Sequence, residues 1–190
     1  MILEDMQQGT DAWLELRKTK VTATDAMAIM GVSPWTNALE LWQEKVGLKE
    51  PKPINSAMTR GMLLEPKARA CYEKMTGELM LPEVVLHPVD DWMMASLDGL
   101  SVDRKKILEI KCTSRKNHDI AKNGQIPEYY IPQIQHQIYV AGVDTCEYFS
   151  FDGVDGVIVV VRRDDAYIAR MMEKEREFYY CMITFTEPAL

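Results

Sequence analysis

The chain lacks a hydrophobic run of the about 18 to 20 residues that a membrane-spanning helix requires, although 47% of its 190 residues are hydrophobic. Its first residues, MILEDMQQGT, also lack the basic segment and apolar core of a secretion signal. We therefore expect a cytoplasmic protein without membrane contact. The 27% of charged residues is typical of a globular fold. A chain of this length is expected to form a single domain over residues 1–190.

Cysteine is scarce and scattered. Cys71, Cys112, Cys146 and Cys181 form no C-x-x-C pair. This spacing argues against a zinc ribbon and against a disulfide framework. We expect most of these side chains to be small buried hydrophobic groups.

Positive charge is in deficit, because 22 lysines and arginines stand against 29 acidic residues, which gives a net charge of -7. Proteins that bind nucleic acid over their whole surface usually carry a net positive field, so this mode of binding is excluded. The basic residues do cluster in LRKTK, DRKKILEIK, SRK and VRR. A local basic groove therefore stays compatible with the composition.

The hydrophobic pattern predicts an α/β fold with a central mixed β-sheet flanked by helices. Helical signals dominate residues 10–77, where Pro66 is expected to kink the longest helix or to shift its start. Three short apolar runs within residues 79–112 predict an antiparallel meander. SRKNHDIAKNG is a helix or a loop, PEYYIPQIQHQIYVAG predicts a helix over 130–141, and two more strands precede a final helix.

The stretch LDGLSVDRKKILEIKC contains the strongest chemical signal. Side chains alternate between the faces of a strand, so Glu109 and Lys111 share one face. If the charged segment turns the chain back, Asp98 at the end of the preceding strand comes alongside Glu109. Two carboxylates this close need a compensating cation, and Mg²⁺ prefers carboxylate oxygens. The alternative is an exposed strand face beside an Asp98-Gly99 turn.

Most of the chain resembles the lambda exonuclease/YqaJ branch of the PD-(D/E)XK nucleases, which serve phage recombination. The resemblance rests on QGTDAWLELRKTKVTATDA, RGMLLEPKARACYEKMTG, ASLDGL with LEIKC, YYIPQIQHQIYVAG and VVRRDDAYIARM. It departs from many relatives at Leu97, which stands where they have proline. The resemblance implies a restriction-endonuclease-like fold.

The resemblance also implies roles for individual residues. Asp98, Glu109 and the backbone carbonyl of Ile110 would bind Mg²⁺, for which Mn²⁺ would substitute, and Lys111 would be the catalytic lysine. Glu65 would support the metal directly or through water. Gln135 would take the position of the family's glutamine, and Arg17 with Thr24 would bind a DNA 5′-phosphate.

Some of these residues have a purely structural alternative. Glu65 is also compatible with an exposed helical acid, and Arg17 with a stem that covers its own helix. In the QIQHQ segment, helical geometry lets at most two of three glutamines face one site, and we expect Gln135 to do so. His136 is expected to pack or to lie at the surface rather than to bind metal.

The resemblance implies a 5′-to-3′ exonuclease that digests linear double-stranded DNA and leaves a 3′ single-stranded tail for recombination. It further implies a homotrimer around the DNA, a single-strand annealing protein as partner, and a phage or prophage origin in a bacterial cytoplasm. Two alternatives stay open. One is a PD-(D/E)XK endonuclease of restriction or repair type, and the other is a catalytically silent module that binds DNA ends.

Overall fold

The structure is a computed structural model that describes residues 1–112 and 114–189. A mixed six-stranded sheet lies between helices on both faces. The strands are β1 Val21–Thr22, β2 Met80–Leu86, β3 Met93–Ser101, β4 Lys106–Cys112, β5 Thr145–Phe151 and β6 Gly156–Arg162. The helices are α1 Asp11–Thr19, α2 Ala23–Ile29, α3 Ala38–Lys45, α4 Ser56–Thr76, α5 Arg115–Lys122, α6 Ile131–Ala141 and α7 Asp165–Thr184.

Strand β3 has three partners, and their arrangement opens a fork in the sheet. β2 pairs antiparallel along the length of β3, so β1 and β4 share the opposite edge. β1 pairs in parallel with Met93 and Met94, and β4 pairs antiparallel with Gly99 and Leu100. The edge of β3 between these two pairings, residues 95–98, is thereby left to other contacts. β4 then pairs in parallel with β5, and β5 antiparallel with β6.

The two faces of β4 bury against different helices. Leu108 and Ile110 pack with Ala68 and Tyr72 of α4. Ile107, on the other face, belongs to the main core, to which α2, α6 and α7 contribute. The alternation expected for an apolar strand thus places Glu109 and Lys111 on the α6 side of the sheet.

The predicted element order agrees with the structure except for β1, which the sequence did not predict, and three details can be added. SRKNHDIAKNG contains helix α5, which resolves the choice between helix and loop. Helix α4 runs from Ser56 to Thr76 and includes Pro66, so the proline does not shift the start of the helix. Asp98 lies within β3 rather than at its end, because β3 continues to Ser101. No helix among the described residues is both long and apolar enough to cross a membrane.

Candidate active site

The fork between β3 and β4 is built around Asp98. The paired register of the two strands ends at Gly99 and Leu108, and beyond it Oδ2 of Asp98 accepts a hydrogen bond from the Ile110 amide at 2.7 Å. A carboxylate therefore replaces a backbone carbonyl as the partner of this amide. Gly99 permits the close approach, because a Cβ there would lie 2.7 Å from Cβ of Met80 and 3.1 Å from Cβ of Leu108.

Glu109 is the most heavily bonded side chain of the site, and it is only 3% exposed. Its Oε1 lies 2.5 Å from Nζ of Lys111 and accepts from Nε2 of Gln133 at 2.7 Å. Its Oε2 accepts from Nε2 of Gln137 at 2.5 Å. These donors hold both carboxylate oxygens in place.

Gln135 was expected to face this site, but its side chain points elsewhere. Its Nε2 donates to the Arg162 carbonyl at 2.8 Å, and its Oε1 accepts from the Asp164 amide at 3.0 Å. Residues four apart share a face of a helix, so Gln133 and Gln137 point together towards Glu109 while Gln135 points to the end of β6. The limit of two glutamines at one site was right, but the choice among the three was not.

Lys111 lies between Glu109 and an aromatic ring. Its Nζ is 4.8 Å from the ring centroid of Tyr130, within the range of a cation–π interaction. Burial lowers the pKa of Lys111, but the nearby Glu109 and Asp98 carboxylates outweigh burial and raise the pKa above its ordinary value. The ammonium group is therefore charged at neutral pH.

At Asp98, burial and repulsion destabilise the charged form of the carboxyl group more than the nearby cation stabilises it. Burial, and then repulsion from Glu109, raise the pKa of its carboxyl well above the ordinary value, against the attraction of Lys111. A cation beside both carboxylates would remove this penalty, so the local charge fits a divalent metal. Among residues 1–112 and 114–189, no three His, Cys, Asp or Glu side chains form a metal-binding cluster. Asp98 and Glu109 would need backbone or water oxygens as further ligands.

Glu65 reaches the fork through Arg69, which the sequence reasoning missed. Arg69 donates from Nη2 to Oε1 of Glu65 at 3.0 Å and from Nη1 to the carbonyl oxygen of Asp98. The glutamate of α4 is thus tied to the backbone of β3. The signal in the sequence was the glutamate-to-arginine spacing of four on one helix, which is typical of an ion pair.

Arg17 and Thr24, the two residues expected to bind a 5′-phosphate, lie in contact with one another. Nη2 of Arg17 donates to Oγ1 of Thr24 at 3.0 Å, and the guanidinium lies 4.6 Å from the Trp13 ring centroid. Trp13 in turn donates from Nε1 to Oγ of Ser96 at 2.9 Å. Ser96 lies on the open edge of β3, two residues before Asp98, so this contact connects the arginine to the fork.

His136, the histidine of α6, has a structural role. His136 is fully buried, with Nδ1 2.9 Å from Oε1 of Glu175 and Nε2 3.1 Å from the Met94 carbonyl oxygen. It packs in the core, one of the two placements expected for it.

Comparison with known proteins adds the family. The model of the YqaJ-like viral recombinase domain matches residues 12–144. The chain belongs to this family. The match covers α1, the fork of β3 and β4, and helix α6 with its glutamines, so every element that builds the site lies inside the YqaJ-like domain.

The relatives of this YqaJ-like chain are consistent with the family. It is 29% identical over 188 residues to the protein YqaJ of Bacillus subtilis (strain 168), covering 94% of this chain and 58% of that protein. The chain thus spans little more than half of the length of this curated relative.

Two solved structures are similar to the YqaJ-like chain. The alkaline exonuclease LHK-Exo from Laribacter hongkongensis matches with a TM-score of 0.80 and 30% identity, over 92% of this chain and 93% of that one. A phage-related exonuclease from Haemophilus somnus 129PT shares the fold, with a TM-score of 0.65 and 14% identity over 87% of this chain and 95% of that one. The predicted restriction-endonuclease-like fold is confirmed.

Proposed function

We propose that the protein is a Mg²⁺-dependent 5′-to-3′ exonuclease that digests linear double-stranded DNA and leaves a 3′ single-stranded tail for phage-type recombination. The observation that carries the proposal is the meeting of Asp98, Glu109 and Lys111 at the fork of β3 and β4, with Nζ of Lys111 2.5 Å from Glu109. LHK-Exo, which is named an alkaline exonuclease, supports the reaction class.

The catalytic residues have separate tasks in this proposal. Asp98 and Glu109, with the Ile110 carbonyl and water, would hold Mg²⁺, which when bound supplies positive charge at the scissile phosphate; Mn²⁺ is expected to substitute. Lys111 is held as a cation, so it stabilises negative charge that builds on the phosphate and orients the attacking water.

Supporting residues keep this geometry fixed. Gln133 and Gln137 hold the Glu109 carboxylate by its two oxygens. Arg69 joins the Glu65 carboxylate to the backbone of Asp98, which keeps α4 against the fork. Gln133, Gln137 and Arg69 are positioning residues in this proposal, because each contacts a carboxylate or a backbone carbonyl of the site.

The direction of digestion follows from Arg17 and Thr24 in the proposal. A guanidinium can grip a phosphate with two parallel hydrogen bonds, and the Thr24 hydroxyl adds a further contact. Thr24 is exposed, and Arg17 is partly exposed, so a DNA end can reach both. A 5′-phosphate bound there would set the strand that enters the fork.

The assembly belongs to the same proposal. A homotrimer that encloses linear duplex DNA would place the fork inside a channel, and a single-strand annealing protein would receive the tail. Helix α4 leaves Met58, Met62 and Leu63 more than half exposed, an apolar surface of the kind that subunit contacts cover. Light scattering is expected to give the mass of three chains, and a monomeric mass would remove this part of the proposal.

Digestion of end-labelled linear duplex tests the activity and its direction together. In Mg²⁺ we expect a 5′ label to appear at once as a small product, while a 3′ label stays on long strands. EDTA should abolish the release, and closed-circular duplex should resist. Cutting of circles would favour a restriction or repair endonuclease instead. Binding of DNA ends without release in either Mg²⁺ or Mn²⁺ would favour a silent binding module.

A further inference from the structure

An open pocket of about 720 Å³ lies beside the end of β4, next to the catalytic fork. Its rim includes Cys112, which directly follows Lys111 in the strand, and Arg60, which precedes Glu65 on α4. The ionisable side chains that line the pocket are Arg60, Arg115, His118, Asp119, Lys122 and Asp152. None of these side chains has a role in the catalytic arrangement above.

The base of the pocket holds a buried histidine with an unsatisfied nitrogen. His118 is 1% exposed, and its Nδ1 lies 3.0 Å from Oγ of Ser150. Its Nε2 is buried and has no hydrogen-bond partner among residues 1–112 and 114–189; Oδ2 of Asp152 is 3.9 Å away. A buried polar nitrogen without a partner is costly, so a ligand that fills the pocket gains by accepting from it.

Basic side chains of two helices, α4 and α5, line the same pocket as this nitrogen. Arg115, His118 and Lys122 occur at helical spacing on α5, and neither Arg115 nor Lys122 forms an ion pair with another residue that the structure describes. Arg60 approaches from α4 and is held by the carbonyl oxygens of Cys112 at 3.0 Å and Asp152 at 2.8 Å.

We infer that this pocket binds a phosphate group of the DNA backbone. In the tautomer in which the Ser150 hydroxyl donates to Nδ1 of His118, Nε2 carries a hydrogen that a phosphate oxygen can accept. Arg115 and Lys122 supply the countercharge. The assignment to DNA rests on the proposed function, because DNA at the fork would pass this pocket. It adds a backbone contact that orients the substrate without contacting the reacting atoms.

Salt-dependent binding of a labelled duplex in EDTA tests this inference, with gels to show that the duplex stays intact. The logarithm of the affinity falls linearly with the logarithm of the salt concentration. Each lost phosphate contact should decrease the steepness of this fall by about 1. We expect this decrease for Arg115→Gln and for Lys122→Gln, with weaker binding. Lys174→Gln changes an exposed lysine on α7 that does not line the pocket, and should match the wild type.

Histidine variants test the buried donor separately. His118→Gln keeps an N–H donor near the position of Nε2, whereas His118→Leu removes it. We expect His118→Leu to weaken binding several-fold and His118→Gln to recover part of the affinity. Melting curves identify any variant that has lost its fold, and Lys122→Gln, at an exposed position, carries the test in that event.

Equal affinity and equal slope for Arg115→Gln, Lys122→Gln and Lys174→Gln would overturn the inference. Calorimetric binding of inorganic phosphate that Lys122→Gln abolishes, with an unchanged DNA slope, would overturn the assignment to DNA in favour of free phosphate. The proposed function is contradicted by a different result. If the salt slopes change as expected but the wild-type protein releases no nucleotide, the phosphate-binding pocket is supported and the exonuclease activity is refuted.

Discussion

Charge is buried in pairs at two places outside the fork. Nζ of Lys45 lies 2.6 Å from Oδ2 of Asp25 and also donates to the carbonyl oxygens of Arg17 and Lys20 at 2.7 and 2.9 Å. This pair holds α3 against the segment that carries Arg17. The second pair, His136 with Glu175, joins α6 to α7. Each buried charge in these pairs is compensated by its partner, so removing one partner should destabilise the folded protein.

Replacing Asp25 with alanine should lower the free energy of unfolding by about 3 to 5 kcal/mol, because it leaves the Lys45 ammonium buried without a counterion. Denaturant unfolding measures the change. Glu15→Ala is the matched control, since it breaks an exposed pair with Lys18 and should have little effect. Asp25→Leu combined with Lys45→Met should recover much of the loss. Equal stability of Asp25→Ala and Glu15→Ala would contradict the account.

The His136 pair predicts a pH dependence. Burial lowers the pKa of His136, but the Glu175 carboxylate outweighs it and raises the pKa above the ordinary 6.5. The pair's stabilisation is therefore fully present below that ordinary value and is lost as pH rises through the raised pKa. The Tm difference between wild type and Glu175→Gln should be largest near pH 6 and shrink as pH rises. A difference that stays constant with pH would refute the assignment.

Two elements decide the geometry of the site. Strand β4 presents Glu109 and Lys111 on one face because side chains alternate, and helix α6 presents Gln133 and Gln137 because residues four apart share a face. The first fact could be predicted from the period of a strand. The second also required knowing how α6 is rotated against the sheet, and the sequence of three alternating glutamines does not encode that rotation.

Variants of α6 test its rotation. Gln133→Ala and Gln137→Ala should each slow nucleotide release by about 10-fold to 100-fold, as is typical when the support of a metal-binding carboxylate is lost. Gln135→Ala should instead lower the melting temperature with little effect on rate, because it releases the Arg162 carbonyl and the Asp164 amide. A larger loss of rate in Gln135→Ala than in the other two would contradict this orientation.

Other parts of the site lay beyond sequence reasoning for similar reasons. Arg69 reaches Asp98 only because α4 packs against the sheet beside β4, a contact between residues 29 apart in the chain. The two-residue strand β1 is too short to give a periodic signal. Local patterns predicted the order of helices and strands well, whereas contacts that depend on how those elements pack could not be derived from them.

The whole molecule combines an acidic surface with local cations. The net charge is -7, yet Lys111 lies in the fork of β3 and β4, and Arg60, Arg115 and Lys122 line the pocket at the end of β4. In the proposed function, DNA would bind only at the fork and at this pocket. Repulsion by the acidic remainder of the surface would prevent nonspecific binding to duplex DNA. Such local binding would also make the affinity for DNA depend on salt.

The rate of nucleotide release from linear duplex in Mg²⁺, compared between wild type and Lys111→Ala, tests the central claim most directly. Both proteins should be folded by their melting curves, with Lys174→Ala as the control for loss of a lysine elsewhere. The account predicts that Lys111→Ala releases nucleotides about 100-fold more slowly or worse, and that Lys174→Ala keeps the wild-type rate. Equal rates for all three proteins would contradict the assignment of a catalytic centre to the fork of β3 and β4.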